Sequence, residues 1–344
     1  MPVSDTAPVR PGEELDLRRL SAYLCGKIQG AENGVAIEQF PSGHSNLTYL
    51  IRADNAEYVL RRPPFGPIPP KAHDMAREYN VLRAIHPAFP QAPRVFHLCE
   101  DATVIGAVFF IMERRHGIIL RDTVPPEATP SYARRVSEGF IDCLIHLHNI
   151  DLAAYGLTAL GKPDGFLERQ VRGWADRWNH AKTEEIPAME FMIGWLSGEF
   201  PVPQRPAFVH NDYKLDNLML DGRDPGRVEA VLDWEMATTG DPLVDLGLAL
   251  CYWSPPTSLG AINAVTTGDG WFTRDQIVDR YAKGTGLDVS NLRYYEVFGA
   301  FKLAVILQQI YYRFHAGHTY DERFRHFNER VRNLADAGAA LAAR

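Results

Sequence analysis

At 344 residues, with 46% apolar and 23% charged residues, the chain is long and apolar enough for two compact lobes, which sets aside intrinsic disorder. A formal net charge of −7 argues against a nucleic-acid partner, and Cys25, Cys99, Cys143 and Cys251 stand far apart without a C-x-x-C pair, against a zinc site or a disulfide framework. No apolar stretch is long enough to span a membrane and no apolar signal core follows Met1, so the expected setting is cytoplasmic with no membrane partner.

Residues 1–12 read as loosely ordered, and Leu17, Leu20, Leu24 and Ile28 then mark an amphipathic helix. Segments 35–40 and 47–51 have strand character and flank Pro41-Ser42-Gly43-His44-Ser45-Asn46, a turn that would cover phosphates if the loop over 210–217, taken up below, is a kinase loop. The turn has one glycine, at Gly43, so backbone N–H groups beside Ser42, the Ser45 hydroxyl and the Asn46 amide are the expected contacts; a plain hairpin is the alternative. In the next strand, 57–62, alternation puts Val59 and Arg61 on one face and Leu60 and Arg62 on the other. The proline cluster over 63–70 reads as a stiff loop, and a helix over 71–85 carries an apolar stripe of Met75, Tyr79, Leu82 and Ile85, with Glu78 placed to pair with Arg61. The longest uncharged apolar run, 104–112, reads as a buried strand ending at Glu113.

Helices are expected over 131–150 and 166–180. His146 and His148 in the first lie two apart, on different faces, so buried structural histidine is expected rather than joint metal ligation. The second carries Arg169, Arg172, Trp174, Arg177 and Trp178. Its basic side suits an acidic group on an acceptor, while Trp174 and Trp178 at i and i+4 also read as a core stripe.

An apolar strand over 206–209 then leads into His210-Asn211-Asp212-Tyr213-Lys214-Leu215-Asp216-Asn217, and strands over 217–220 and 228–232 form a hairpin that ends at Asp233. The spacing His210-x-Asp212-x-x-x-x-Asn217 matches the H-R-D-x-x-x-x-N loop of kinases, in which the Asp meets the acceptor hydroxyl and the Asn holds magnesium. Asp212 is therefore the expected base and positioner, Lys214 a charge that offsets the transferred group, and His210 a scaffold for the loop. Asn217 and Asp233 offer the oxygen donors that magnesium takes. Trp234-Glu235 stands where a protein kinase carries Phe-Gly, and neither a long activation segment nor A-P-E follows, so a small hydroxyl compound is the expected acceptor. Asp241 and Asp245 read as caps of the helix that runs to Tyr252. Further on, Lys302, Gln309 and Arg313 interrupt a strongly apolar helix over 292–314 and are candidates to face a cleft.

With loop, metal Asp, short lid and paired Arg61 and Glu78 in hand, the chain resembles the aminoglycoside phosphotransferase and choline kinase-like superfamily, over roughly residues 15–320. Ser42-Gly43-His44-Ser45-Asn46-Leu47-Thr48-Tyr49, Val59-Leu60-Arg61-Arg62-Pro63-Pro64, Ala72-His73-Asp74-Met75-Ala76-Arg77-Glu78-Tyr79 and Asp233-Trp234-Glu235 look like the branch that includes kinase domains fused to acyl-CoA dehydrogenases. The resemblance implies an α+β, bilobal protein-kinase-like fold: a small antiparallel-sheet N-lobe over 1–112 and a larger, mostly helical C-lobe over 113–344. It implies ATP and Mg2+ as cofactors, with Val59 under the adenine, Arg61 in the place of the usual lysine and Met112 and Glu113 opening the hinge. Hydroxyacyl-CoA compounds are acceptors in that branch. An aminoglycoside acceptor, and a nucleotide-binding protein without transfer activity, are the alternatives.

Overall fold

Segments 36–62 and 95–113 build one sheet in the computed structural model, whose described residues are 5–41, 46–66, 73–121, 123–126, 128–253, 265–319 and 321–344. Its strands are β1 (Ala36–Gln39), β2 (Leu47–Ala53), β3 (Ala56–Arg62), β4 (Val95–Cys99) and β5 (Phe109–Glu113), in the order β1-β2-β3-β5-β4 with antiparallel neighbours. Asp54 and Asn55 turn the chain between β2 and β3, with Asp54 at φ 48°, a left-handed conformation that aspartate tolerates. Tyr49, Ile51, Leu60, Phe109 and Ile111 form a core with Leu20 and Leu24 of α1 (Leu17–Leu24). On β5, Phe110 points the other way and its ring meets Tyr79 of α2 (Met75–Ile85), edge on. Asp74 starts α2 by accepting the Arg77 N–H at 2.9 Å.

Two expectations change here. The apolar run 104–112 is not one strand, because Gly106 at φ 81° closes a turn through its N–H to Ala102 O, and β5 begins only at Phe109. The described part of 1–12 is not loose either: Ala7 forms an antiparallel bridge with Gln39, and the Arg10 N–H donates to Gln39 Oε1 at 2.9 Å. They run along the outer edge of β1, where unpaired backbone groups would otherwise face solvent.

Backbone proximity groups Met1–His116 and Glu229–Glu235 into one unit, and Gly117–Val228 and Met236–Arg344 into a second. The second unit holds α3 (Pro130–His148), α4 (Phe166–Ala181), α5 (Pro187–Gly198), α6 (Leu243–Tyr252), α7 (Arg274–Thr285), α8 (Leu292–His315) and α9 (Phe327–Ala342). Its strands are β6 (Ala207–Val209), β7 (Leu218–Leu220) and β9 (Thr238–Gly240), while β8 (Val228–Val231) runs from this unit into the first. β6 and β9 are antiparallel, Ala207 opposite Gly240 and Val209 opposite Thr238, which brings the loop leaving β6 beside the start of α6.

From Leu292 to Val305 α8 is buried on nearly every side, with α4, α5, α6 and α9 packed around it, as its largely apolar character requires. α6 and α8 approach closely where two glycines meet: a Cβ on Gly247 would lie 2.4 Å from Tyr295 O, and one on Gly299 2.9 Å from Cys251 Sγ. Gly247→Val should therefore overpack this crossing and cost about 1–3 kcal/mol. A lowered midpoint in urea unfolding is the expected reading; an unchanged midpoint would show that α6 and α8 can separate without loss.

Candidate active site

The loop that leaves β6 is held by a carboxylate inside an apolar helix. Asp245, fully buried on α6, accepts the His210 N–H at Oδ2 and the Asn211 N–H at Oδ1, each at 2.6 Å. His148 Nε2 lies 3.2 Å from Asp245 Oδ2, and its Nδ1 lies 2.7 Å from the Tyr281 hydroxyl. Burial works to raise the Asp245 pKa, but His148, His210 and the loop N–H outweigh it and hold the carboxyl below the usual aspartate range. Asp245 thus does not cap α6, because its side chain reaches back to the preceding loop. Asp241 does serve the helix start: its Oδ1 accepts the Leu243 N–H at 3.0 Å and its Oδ2 the Tyr295 hydroxyl at 2.7 Å. Of the two histidines on α3, His148 is buried in this network and His146 is exposed.

Within the loop, Asn211 is left-handed at φ 64° and its Nδ2 donates to Met236 O at 3.1 Å. The Asp212 N–H donates to His210 Nδ1 at 3.2 Å, so that buried ring nitrogen is an acceptor. Asp212 Oδ2 accepts from Asn217 Nδ2 at 2.9 Å and lies 3.1 Å from Lys214 Nζ. Among the described residues no donor occupies Asp212 Oδ1. Asn217 Nδ2 also donates to Asp212 O at 2.9 Å, which turns its Oδ1 away from Asp212. Burial disfavours the Lys214 charge, but Tyr252, Asp212 and Asp216 outweigh it and raise the pKa.

In the first unit, Arg61 of β3 joins two carboxylates. Its Nε donates to Glu78 Oε2 at 3.0 Å and its Nη2 to Asp233 Oδ1 at 2.5 Å, with Glu235 Oε2 at 3.9 Å. Glu78 stands in the buried face of α2 among Met75, Val81, Leu82 and Ile85, where the sequence stripe placed the half-buried Tyr79. Burial raises the Glu78 pKa and Arg61 pulls it back; Arg61 itself, disfavoured by burial, is held charged by Glu78, Asp233 and Glu235. Asn46 Nδ2 donates to Glu235 Oε2 at 2.8 Å, and Asn46 Oδ1 lies 2.8 Å from His73 Nδ1. The neighbouring Arg62 points to the opposite face, buried over the Phe65 ring, and donates to Ile105 O and Pro63 O at 3.1 Å each.

Other expected residues divide sharply. Val59 and Met112 are buried and face each other across β3 and β5, and the Glu113 carboxylate accepts the Arg94 N–H at 3.1 Å. Ser42, Gly43 and Ser45 lie outside the described residues. On α4, Arg169 donates to the carbonyls of Lys162 and Asp164 ahead of its own helix, and Arg172 is 74% exposed in a pair with Glu168. Trp174 and Trp178 are buried, as a core stripe, and Arg313 is exposed. The residues missed are Asp245 and His148, although a lone Asp inside Leu243-Val244-Asp245-Leu246-Gly247-Leu248 is a signal, since an ionised group in an apolar run needs partners.

Comparison with known proteins follows the same outline. The model of a family described as APH, phosphotransferase enzyme family, matches residues 36–279. Acyl-CoA dehydrogenase family member 10 of Mus musculus is 36% identical over 317 residues, covering 90% of this chain and 30% of its own length. Family member 11 of Gallus gallus is 33% identical over 351 residues, 98% of this chain and 45% of its own. The chain thus spans less than half the length of these curated relatives. Among solved structures, a putative aminoglycoside phosphotransferase from Ralstonia eutropha is 30% identical with a TM-score of 0.81, covering 96% of this chain and 99% of the other. Choline kinase from Cryptosporidium parvum, 14% identical with a TM-score of 0.62 over 94% of this chain and 98% of its own, shares the fold.

Two buried charges generate expectations. Arg61→Met should cost about 3–5 kcal/mol, because Glu78 keeps its burial and loses its cation; adding Glu78→Leu should recover most of the loss, and unfolding midpoints of the single and double variants test this. Asp245 titrates below the ordinary value of about 3.9, so its contribution to stability is complete above that pH and is lost as pH falls through the lower folded value. Asp245→Asn should be less stable at neutral pH and lose stability less steeply on acidification, measured by urea unfolding across that range.

Proposed function

This chain belongs to the APH phosphotransferase enzyme family, with its α+β protein-kinase-like fold and an alcohol as phosphoryl acceptor, and from that premise we propose that it transfers the γ-phosphoryl group of ATP to the hydroxyl of a small acidic acceptor of the hydroxyacyl-CoA kind. The observation that carries the reading is the Asp212 carboxylate, with Oδ2 tied to Asn217 and Lys214 and Oδ1 without a donor among the described residues. A carboxylate fixed by one oxygen is fit to orient a hydroxyl with the other.

Phosphoryl transfer asks a protein chiefly for alignment and charge compensation. Asp212 Oδ1 accepts the hydrogen bond of the acceptor hydroxyl, directs its oxygen at the γ-phosphorus and takes its proton as the new P–O bond forms and the bond from that phosphorus to the β,γ-bridging oxygen breaks, releasing ADP. Lys214, 3.1 Å from Asp212, adds positive charge where negative charge develops. His210, buried and accepting the Asp212 N–H, keeps the loop in shape. Asn217 Oδ1 and the Asp233 carboxylate would hold magnesium, which when bound neutralises charge across the phosphates. Both are hard oxygen donors, and among the described residues no group of three or more His, Cys, Asp or Glu is arranged for a metal. That donor set suits magnesium, which takes one or two protein ligands and fills its octahedron with phosphate and water.

Arg61 supplies positive charge toward the phosphates in this reading, its guanidinium braced by Glu78 through Nε and joined through Nη2 to Asp233, the carboxylate assigned to magnesium. Val59 underlies the adenine, Met112 and Glu113 begin the hinge, and Asn46 lies on the phosphate side. ATP as donor draws support from the related fold of APH(4)-Ia, 16% identical, which was solved with AMP-PNP and hygromycin B. The acyl-CoA acceptor draws support from the two acyl-CoA dehydrogenase family members, and not from Arg169 or Arg172, which are engaged within their own segment. An aminoglycoside acceptor is the second reading, favoured by the 30% identical putative aminoglycoside phosphotransferase.

Asp212→Asn should lower turnover by about 10² to 10⁴ while nucleotide binding persists; equal turnover in the variant refutes the role. A screen of hydroxyacyl-CoA compounds and aminoglycosides with MgATP, read as ADP release with a metal-free control, should favour the acyl-CoA group. Phosphorylation of the aminoglycosides alone reverses that choice.

A further inference from the structure

Lys302 lies in the buried stretch of α8 and is 0% exposed. Among the described residues its ammonium forms no ion pair; Nζ donates to Asn211 O at 2.5 Å and stands 5.4 Å from the centroid of the Trp174 ring. Keeping an ammonium in a core on one neutral hydrogen bond and one aromatic face is unfavourable, and an apolar side chain of similar volume would serve the packing better. The position of its partner gives a reason for the charge. Asn211 O belongs to the peptide group that joins Asn211 to Asp212, and the N–H of that same group donates to His210 Nδ1. Both polar atoms of one peptide plane are therefore held.

The residue ahead of that plane needs restraint. Asn211 is left-handed at φ 64°, and its Oδ1 is buried without a hydrogen-bond partner among the described residues. Such a conformation persists only where the surroundings over-determine it. Asp245 grips the Asn211 N–H and Lys302 its carbonyl.

We propose that Lys302 is a positioning residue for phosphoryl transfer: through the Asn211 carbonyl it fixes the peptide plane that carries Asp212, and with it the direction in which the Asp212 carboxylate meets the acceptor. The inference rests on the role given to Asp212 above. The charged groups around the ammonium are Asp212 and Lys214 from the loop, Asp245 from α6 and Arg177 from α4. Burial lowers the Lys302 pKa to about 8, opposed by Asp212 and Asp245 and reinforced by Arg177 and Lys214. Two effects of opposite sign follow. An unfolded lysine titrates near about 10.4, so between about 8 and that value the unfolded chain binds more protons, and the Lys302 contribution to stability improves as pH rises. Turnover moves the other way, because a neutral amine is a weaker donor to Asn211 O than an ammonium. A lysine that only filled the core would not separate the two.

The test uses MgATP with water as acceptor, read as slow release of ADP, so that no acceptor need be identified. Lys302→Met should unfold at the same or a higher temperature, bind a fluorescent ATP analogue with a Kd within about twofold of the parent, and turn over about 10 to 100 times more slowly. It should also lack the fall in kcat that the parent protein shows as pH rises past about 8. Turnover within about twofold of the parent, or slower turnover with the same alkaline fall, overturns the proposal. Should Lys302→Met not fold, Lys302→Gln is read in its place: turnover about 10 times slower without the alkaline fall supports the proposal, and turnover within about twofold of the parent, or the same alkaline fall, overturns it. Asp212→Asn is run beside it. An active Asp212→Asn removes the role of Asp212 and this proposal with it, whereas an inactive Asp212→Asn beside a fully active Lys302→Met removes the proposal alone.

Discussion

A carboxylate sealed inside α6 sets the terms for the second unit. Asp245 is fully buried, so its charge must be satisfied by the groups around it, and those groups are the two backbone N–H donors at the mouth of the loop that leaves β6 and the ring of His148. The requirement works in both directions. The carboxylate needs donors, and the loop needs an acceptor because Asn211 sits in a backbone region that non-glycine residues enter with difficulty. Pairing β6 with β9 brings the two together, and the close approach of α6 to α8 at Gly247 and Gly299 closes the layer behind them.

The first unit solves a similar problem with the signs exchanged. Arg61 is a mostly buried cation whose fork reaches Glu78 on one edge and Asp233 on another, and Asp233 itself adopts φ 69°. Glu78 interrupts an apolar helix face for the same reason that Asp245 interrupts α6. In both units a charge inserted among apolar side chains restrains a short segment that carries a carboxylate of the candidate site. This is costly as a means of stability and effective as a means of orientation.

What could be read in the sequence was whatever is local. The His210-x-Asp212-x-x-x-x-Asn217 spacing lies within eight consecutive residues of one loop, and long periodic segments such as α3, α4 and α8 fall within one or two residues of their expected limits. β4 escaped notice because its burial does not alternate cleanly, and β9, Thr-Thr-Gly, has no apolar signature and exists as a strand only through β6. The contacts that order the loop are the least local of all: His148 and Asp245 are 97 residues apart, Asn211 and Lys302 91. No periodicity encodes such pairs. Only the oddity of a charged residue in an apolar run hints at them, and that hint does not name the partner.

The neighbours Arg61 and Arg62 point to opposite faces of β3, one to the carboxylates and the other to main-chain carbonyls beneath Phe65. Slide the strand one position one way and Glu78 confronts Leu60; slide it the other way and the Arg61 guanidinium enters the hydrocarbon place of Leu60. Either misalignment strands a charge in oil, at a penalty that a purely aliphatic strand would not impose. The arginine doublet therefore acts as a built-in registration mark, correcting the sheet's alignment before any ligand is met.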